Sequence, residues 1–290
     1  MSEIAPSVSR PDAEWQKVIR PSSRLLDLRL SELWQYRDLI YLFVKRDFVA
    51  TYKQTILGPL WFVIQPLMTT LIFTVIFGNI AQLSTDKTPA FLFYLCGIVA
   101  WSYFAECLNK SAATFSSNAN IFSKVYFPRL TVPIANAITN LLTFAIQFTI
   151  FIVVLAYFII KGAPIEPSYR VVVLPLLVLQ MALLGIGFGC IVSSLTTRYR
   201  DLGIVMGFLV QLWMYGSCVI IPLSEVKPEW QPFFVLNPMV PVIESFRFAF
   251  LGAGTVTIPQ LLTGAVVSLV VFIVGIVVFR KTERNFSDTI

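Results

Sequence analysis

The chain has no histidine. That removes the commonest general base and the commonest metal ligand. It has four cysteines, Cys96, Cys107, Cys190 and Cys218, and no Cys-x-x-Cys pair. All four sit in or at the edge of apolar runs, where they read as small apolar residues. Charge is scarce, with 13% of the 290 residues charged against 57% hydrophobic. No G-x-x-x-x-G-K-[ST] string occurs, so the chain binds no nucleotide by a P-loop. H-E-x-x-H, G-x-S-x-G and paired-carboxylate patterns are missing too. An intramembrane enzyme is therefore a poor reading. Acids and lysines are nearly absent from the apolar runs, and ion-coupled transporters need such relay groups. Their scarcity argues that the energy for any transport comes from elsewhere. The first 58 residues are too polar, and the first apolar run too long, for a cleavable signal peptide.

Apolar sequence is what the chain has in abundance. Mean hydropathy is +0.76, in the range of integral membrane proteins. Six runs are long enough for a ~30 Å hydrocarbon core, which takes about 20 helical residues. They lie near 60–80, 90–108, 132–160, 171–195, 204–221 and 259–279. They are continuous rather than alternating, which argues against a β-barrel. The expected fold is an all-α integral membrane protein with six transmembrane helices.

Orientation follows from Lys and Arg. Nine precede residue 59, three lie in the loop 109–131, two in the loop 196–203 and three in the tail from Arg280, 17 in all. The other five are Lys87, Lys161, Arg170, Lys227 and Arg247. This bias places both termini in the cytoplasm. It also accounts for most of the net charge of +6, which is no evidence for nucleic acid.

Residues 1–30, with Pro6, Pro11 and Pro21, read as a flexible cytoplasmic tail. Over 31–58 a stripe of Leu33, Tyr36, Ile40, Phe43 and Val44 predicts an amphipathic interface helix. Trp34, Tyr36, Tyr41 and Tyr52 suit the headgroup layer, and Lys45, Arg46 and Lys53 can meet anionic membrane lipids. Residues 59–285 form the six-helix domain, with Gly58-Pro59 as its opening corner.

Two segments of that domain stand out. Between the second and third runs, Lys110, Lys124 and Arg129 occur with no acid over 109–130. Ser116-Ser117-Asn118 can cap a helix that Pro128 stops. That helix, about 116–128, would carry Ile121, Phe122, Val125 and Tyr126 on one face. It either docks on a partner or rests on lipid headgroups. Later, the segment 224–257 is apolar but broken by Pro228, Pro232, Pro238 and Pro241. It reads as a re-entrant helical pair lining a pathway, or as a packed extracellular cap. In it, Glu244 and Arg247 stand three apart and can pair.

The polar residues inside the runs are amides: Gln65, Asn136, Asn140, Gln147, Gln180 and Gln211. Together with many aromatics they suit a carbohydrate path. They serve equally as interhelical hydrogen-bonding groups. Tyr94, Trp101, Gln211 and Tyr215 are the candidates for lining such a path, which two copies of the chain would have to enclose. The small residues Gly185, Gly187 and Gly189 allow close helix packing.

The string Lys124-Val125-Tyr126-Phe127-Pro128-Arg129 resembles the permease subunits of ABC-2 type exporters of polysaccharides, which handle O-antigen, capsule and teichoic-acid-like polymers. Leu57-Gly58-Pro59-Leu60-Trp61, Arg200-Asp201-Leu202 and Leu236-Asn237-Pro238-Met239 with Glu244-Ser245-Phe246-Arg247 extend the resemblance over about residues 30–285. One run departs from the family, which commonly closes its fifth span with Ser-Pro-Val-Ile-Tyr-Pro. Here it is Ser217-Cys218-Val219-Ile220-Ile221-Pro222.

The resemblance implies a non-enzymatic, homodimeric permease in the bacterial cytoplasmic (inner) membrane. Two copies of a separate ABC ATPase would bind ATP and Mg, leaving this chain without a cofactor or metal. The substrate implied is a lipid-linked polysaccharide, with a drug or lipid as the alternative. Residues 116–128 would be the coupling helix, through Ile121, Phe122, Lys124, Val125, Tyr126 and Arg129. The re-entrant pair would gate the outer exit, through Asn237, Pro238, Glu244 and Arg247.

Overall fold

The computed structural model describes residues 30–52, 58–122, 124–125, 127–199 and 201–286. The tail expected over 1–30, Leu30 excepted, and the candidate residue Tyr126 lie outside the described residues. Helices make up the fold, with no strand among the described residues. An apolar chain of this kind must satisfy its backbone within each segment, which a helix does.

A short helix α1 (Leu30–Gln35) turns at Tyr36 into α2 (Arg37–Tyr52). α3 (Trp61–Phe73) continues into a wider π-helical stretch, Thr74–Ile80. α4 (Ala90–Ala112) is followed after one residue by α5 (Thr114–Phe122). Then come α6 (Thr131–Ile160), α7 (Leu174–Thr196), α8 (Leu202–Tyr215), α9 (Gln231–Leu236), α10 (Met239–Leu251) and α11 (Ile258–Phe286).

Five of these segments are long and apolar enough to cross a membrane: Trp61–Ile80, Ala90–Ala112, Thr131–Ile160, Tyr169–Thr196 and Ile258–Glu283. They match five of the six expected runs. The run expected over 204–221 differs. Only its first part is helical, and the 14 residues of α8 reach about 21 Å at 1.5 Å per residue. The helix gives way at Gly216. Ser217 Oγ donates back to the Trp213 carbonyl at 2.7 Å, and Cys218 adopts a left-handed φ of +56°.

α4 is the axis of the packing. Of its apolar window 83% is buried, against 17–39% in the other four segments. It touches α3, α6, α7, α8 and α10. α7 lies between α4 and α11, and its glycines set both distances. A Cβ on Gly185 would stand 2.7 Å from Cys107 Cβ on α4. A Cβ on Gly187 would stand 2.8 Å from Phe272 Cα on α11. Tails of lipid are as apolar as leucine, so helices in a bilayer are held by close fit and hydrogen bonds. Asn136 and Asn140 supply such bonds between α6 and α4. Asn136 Nδ2 donates to the Lys110 carbonyl at 3.3 Å, and Asn140 Oδ1 accepts from Lys110 Nζ at 2.7 Å.

Candidate functional site

The irregular stretch 216–222 after α8 carries backbone groups with no helical partner, and most of its residues are buried. Buried backbone without a partner is costly. The α9–α10 corner supplies the partners. Asn237 Nδ2 donates to the Gly216 carbonyl at 3.0 Å and to Ser217 Oγ at 2.9 Å. Its Oδ1 accepts from the amide of Met239 at 3.1 Å, which caps the start of α10 beside Pro238. Arg247 Nη1 donates to the Cys218 carbonyl at 2.6 Å, and Nη2 to the Val219 carbonyl at 2.7 Å. Glu244 Oε1 accepts from the Leu223 amide at 3.3 Å. Three side chains on one corner thus hold four backbone groups of the broken helix end.

Arg247 and Glu244 also pair with each other, Nη1 to Oε1 at 3.1 Å, with both side chains 1% exposed. The guanidinium carbon stands 3.6 Å from the centre of the Phe93 ring on α4. Removing charges from water costs several kcal/mol per ion unless a partner and hydrogen bonds offset it. Here the ion pair, two carbonyls and an aromatic face provide that offset. Gly97 makes the room, since a Cβ there would lie 3.0 Å from Arg247 Nη2. Glu244 Oε2 and Arg247 Nε have no hydrogen-bond partner among the described residues. Sequence reading missed Phe93 and Gly97. Their spacing of four on one face of α4 was the available signal.

At the C-terminal end of α4, α5 is placed differently from the expected helix at 116–128. α4 runs on to Ala112, so no N-terminus is left for Ser116-Ser117-Asn118 to cap. Ser116 Oγ instead donates to the Ala113 carbonyl at 3.1 Å and Asn118 Nδ2 to the Thr114 carbonyl at 3.0 Å, back-bonds typical of such residues inside helices. The helix ends at Phe122, well before Pro128. The expected shared apolar face also divides. Phe122 is buried, 6.1 Å from the Phe115 ring and 5.6 Å from the Phe127 ring. Lys124 and Val125 are exposed and Ile121 is half-buried. Arg129 fastens the loop to α11, its amide donating to Glu283 Oε1 at 3.1 Å. Its guanidinium lies over Phe122 at 5.3 Å.

The four path candidates fall into two groups. Tyr94 and Trp101 are buried within the protomer. Tyr94 packs on Phe73, Phe77 and Phe93, and Trp101 on Phe104 and Trp213. Neither reaches the surface of the single chain, because α4 is the axis of the packing. Gln211 and Tyr215 are exposed on α8. Gln65 is exposed on α3 as well. Gln147 is buried on α6, and Gln180 is buried on α7 with neither amide atom bonded among the described residues. Among the described residues, no three acidic or cysteine side chains gather where a metal ion could be held.

Known proteins resemble this chain over most of its length. It is 27% identical over 262 residues to the O-antigen export system permease protein RfbA of Myxococcus xanthus, covering 89% of this chain and 98% of that protein. It is 23% identical to the polysialic acid transport protein KpsM of Escherichia coli, over 79% of this chain and 87% of the other. It is 22% identical to the capsule polysaccharide export inner-membrane protein CtrC of Neisseria meningitidis serogroup B, over 86% and 92%. The family model of the ABC-2 type transporter matches residues 38–251, which takes in the packing axis, α5 and the whole corner around Arg247. The chain belongs to the ABC-2 type transporter family.

Proposed function

We propose that this chain is the permease subunit of an ATP-driven exporter that moves a polysaccharide, in lipid-linked form, across the bacterial cytoplasmic membrane. The observation that carries the reading is the likeness to an O-antigen export permease, a polysialic acid transport protein and a capsule polysaccharide export protein, each over more than three quarters of the chain. Those names do not favour a drug or lipid as cargo. The chain itself lacks a nucleotide-binding loop, so a separate ATPase, bound in two copies to a homodimer, supplies the energy together with its ATP and Mg. The chain is in this reading a transport subunit and not an enzyme.

Six crossings fit the charge distribution. If α8 with the stretch 216–222 forms the fifth, every basic loop and both termini share the cytoplasmic side. Five crossings would put the basic tail from Arg280 outside. α2 then lies along the cytoplasmic leaflet as the interface helix. α9 and α10, of 6 and 13 residues, are the re-entrant pair at the outer face. Asn237, Pro238, Glu244 and Arg247 hold that gate to the end of the fifth span.

Exposed amides are costly against lipid, so Gln65 on α3 and Gln211 on α8 support a second copy or a hydrated path beside those helices. Gln211 and Tyr215 line the path in this reading, and Tyr94 and Trp101 stiffen the wall behind it. The coupling surface on the cytoplasmic side comprises Ile121, Lys124 and Val125, with Tyr126 as a further candidate. Phe122 and Arg129 brace it from behind.

The test is co-purification. A tagged chain taken from its own host should bring down an ATP-hydrolysing subunit in equal amount, and hydrolysis should respond to the permease. Recovery of the chain without such a subunit, with export intact when every candidate ATPase is removed, overturns the reading.

A further inference from the structure

α1 and α2 do not lie flush against α6. Between them runs a cavity of about 580 Å³. Leu33, Ile40, Tyr41 and Val44 form one wall, and Ile134 and Ile138 the other. Ile134 and Ile138 stand in the first two turns of α6, at the end of a span, where lipid tails meet headgroups. At the rim are Trp34 and Arg37, with the guanidinium carbon 5.8 Å from the indole ring centre. Arg37 pairs with Asp38 only at 3.9 Å, and the two side chains are 63% and 94% exposed. Such a pair is weak and leaves the guanidinium able to meet a second anion.

The cavity is a groove open on one side, and its walls are apolar, so beside a bilayer an acyl chain fits it better than water does. We infer that the cavity holds one acyl chain of an anionic phospholipid, with the phosphate on Arg37. Lipid tails and leucine are equally apolar, so the tail itself gains little hydrophobic free energy by leaving the bilayer. Selection among lipids must therefore come from the headgroup. One basic side chain beside anionic lipid is worth about a five-fold preference. The inference rests on the reading of α2 as an interface helix and is independent of what is exported.

The test is native mass spectrometry of the full-length chain, extracted from vesicles of phosphatidylglycerol and phosphatidylcholine in equal amounts. The wild type should keep one phosphatidylglycerol per chain, preferred about five-fold over phosphatidylcholine. Arg37→Ala should bring the two lipids to parity, and Arg37→Lys should restore the preference. Ile138 is 39% exposed, so Ile138→Trp puts an indole into the groove without entering the core, and it should weaken retention of either lipid. Equal retention of both lipids by the wild type, or undiminished retention by Ile138→Trp, overturns the inference. So does retention of an added polyprenyl diphosphate in place of phospholipid. A spin label at Leu42→Cys, an exposed position on α2, reports depth separately. A label in bulk water overturns the interface-helix reading itself, whereas headgroup depth with no retained lipid overturns only the lipid site.

Discussion

Arg247 lies face-on to Phe93, its guanidinium carbon 3.6 Å from the ring centre. From there it reaches the carbonyls of Cys218 and Val219. A cation on α10 thus ties the end of α8 to the packing axis. Arg247→Met strips two carbonyls and the Glu244 carboxylate of their donor at once. Breaking a buried pair from one side costs about 3–5 kcal/mol. Glu244→Gln keeps both carbonyl bonds but leaves the buried guanidinium without its counter-charge, so it too should cost about 3–5 kcal/mol. Thermal unfolding of the detergent-purified protein measures both, and a loss below about 1 kcal/mol in either variant would contradict the arrangement.

Cys218 has a left-handed φ of +56°, which a non-glycine residue holds at a cost of about 1–3 kcal/mol. Proline fixes φ near −65° and cannot make this turn. Cys218→Gly should therefore keep or raise stability, and Cys218→Pro should lower it by about 3 kcal/mol or more. A Cys218→Pro variant as stable as wild type would mean that the stretch 216–222 adopts another path.

Much of the fold was legible in the sequence because lipid permits few solutions. Runs of apolar residues gave five spans within a few residues of their observed ends. The exception, 204–221, reads as apolar throughout, yet only part of it is helical. Apolar content reports depth in the membrane and says nothing of whether the backbone stays wound. That depends on Asn237 and Arg247, about 20 and 30 residues downstream, whose bonds to carbonyls 216, 218 and 219 no local pattern displays. The pairing of Glu244 with Arg247 was legible from their spacing. The outward face of α5 was not, because helical periodicity groups Ile121, Phe122 and Val125 without showing which side faces Phe115 and Phe127. The burial of Tyr94 and Trp101 was not legible for a related reason. Aromatic richness in α4 marks the packed axis of the protein as readily as it marks a sugar path.

The division within α5 and its loop separates two kinds of failure. Phe122→Ala opens a cavity between Phe115 and Phe127 and should cost about 3–5 kcal/mol of stability. Lys124→Glu with Val125→Asp alters only exposed side chains and should leave unfolding unchanged within about 0.5 kcal/mol. The second variant should nonetheless lose the bound ATPase in a pull-down. Normal retention of the ATPase by that variant would remove this surface from the coupling site.

In the proposed path, lining and wall differ in the same way. Gln211→Ala with Tyr215→Ala should slow export several-fold while complex assembly and basal ATP hydrolysis persist. Trp101→Ala should act through stability, losing about 3–5 kcal/mol as a buried aromatic in contact with Phe104 and Trp213. Export rates at matched protein levels, read beside unfolding temperatures, distinguish the two. Unchanged export by the double variant would place the path elsewhere.

The most direct measurement is uptake of a labelled lipid-linked polysaccharide into inverted membrane vesicles that hold the permease with its ATPase. Uptake should require hydrolysable ATP, stop with a non-hydrolysable analogue, and continue when the proton gradient is collapsed. Uptake that follows the proton gradient and ignores ATP would contradict an ATP-driven permease. Vesicles that take up a drug or a simple lipid under ATP, but no polysaccharide, would contradict the cargo.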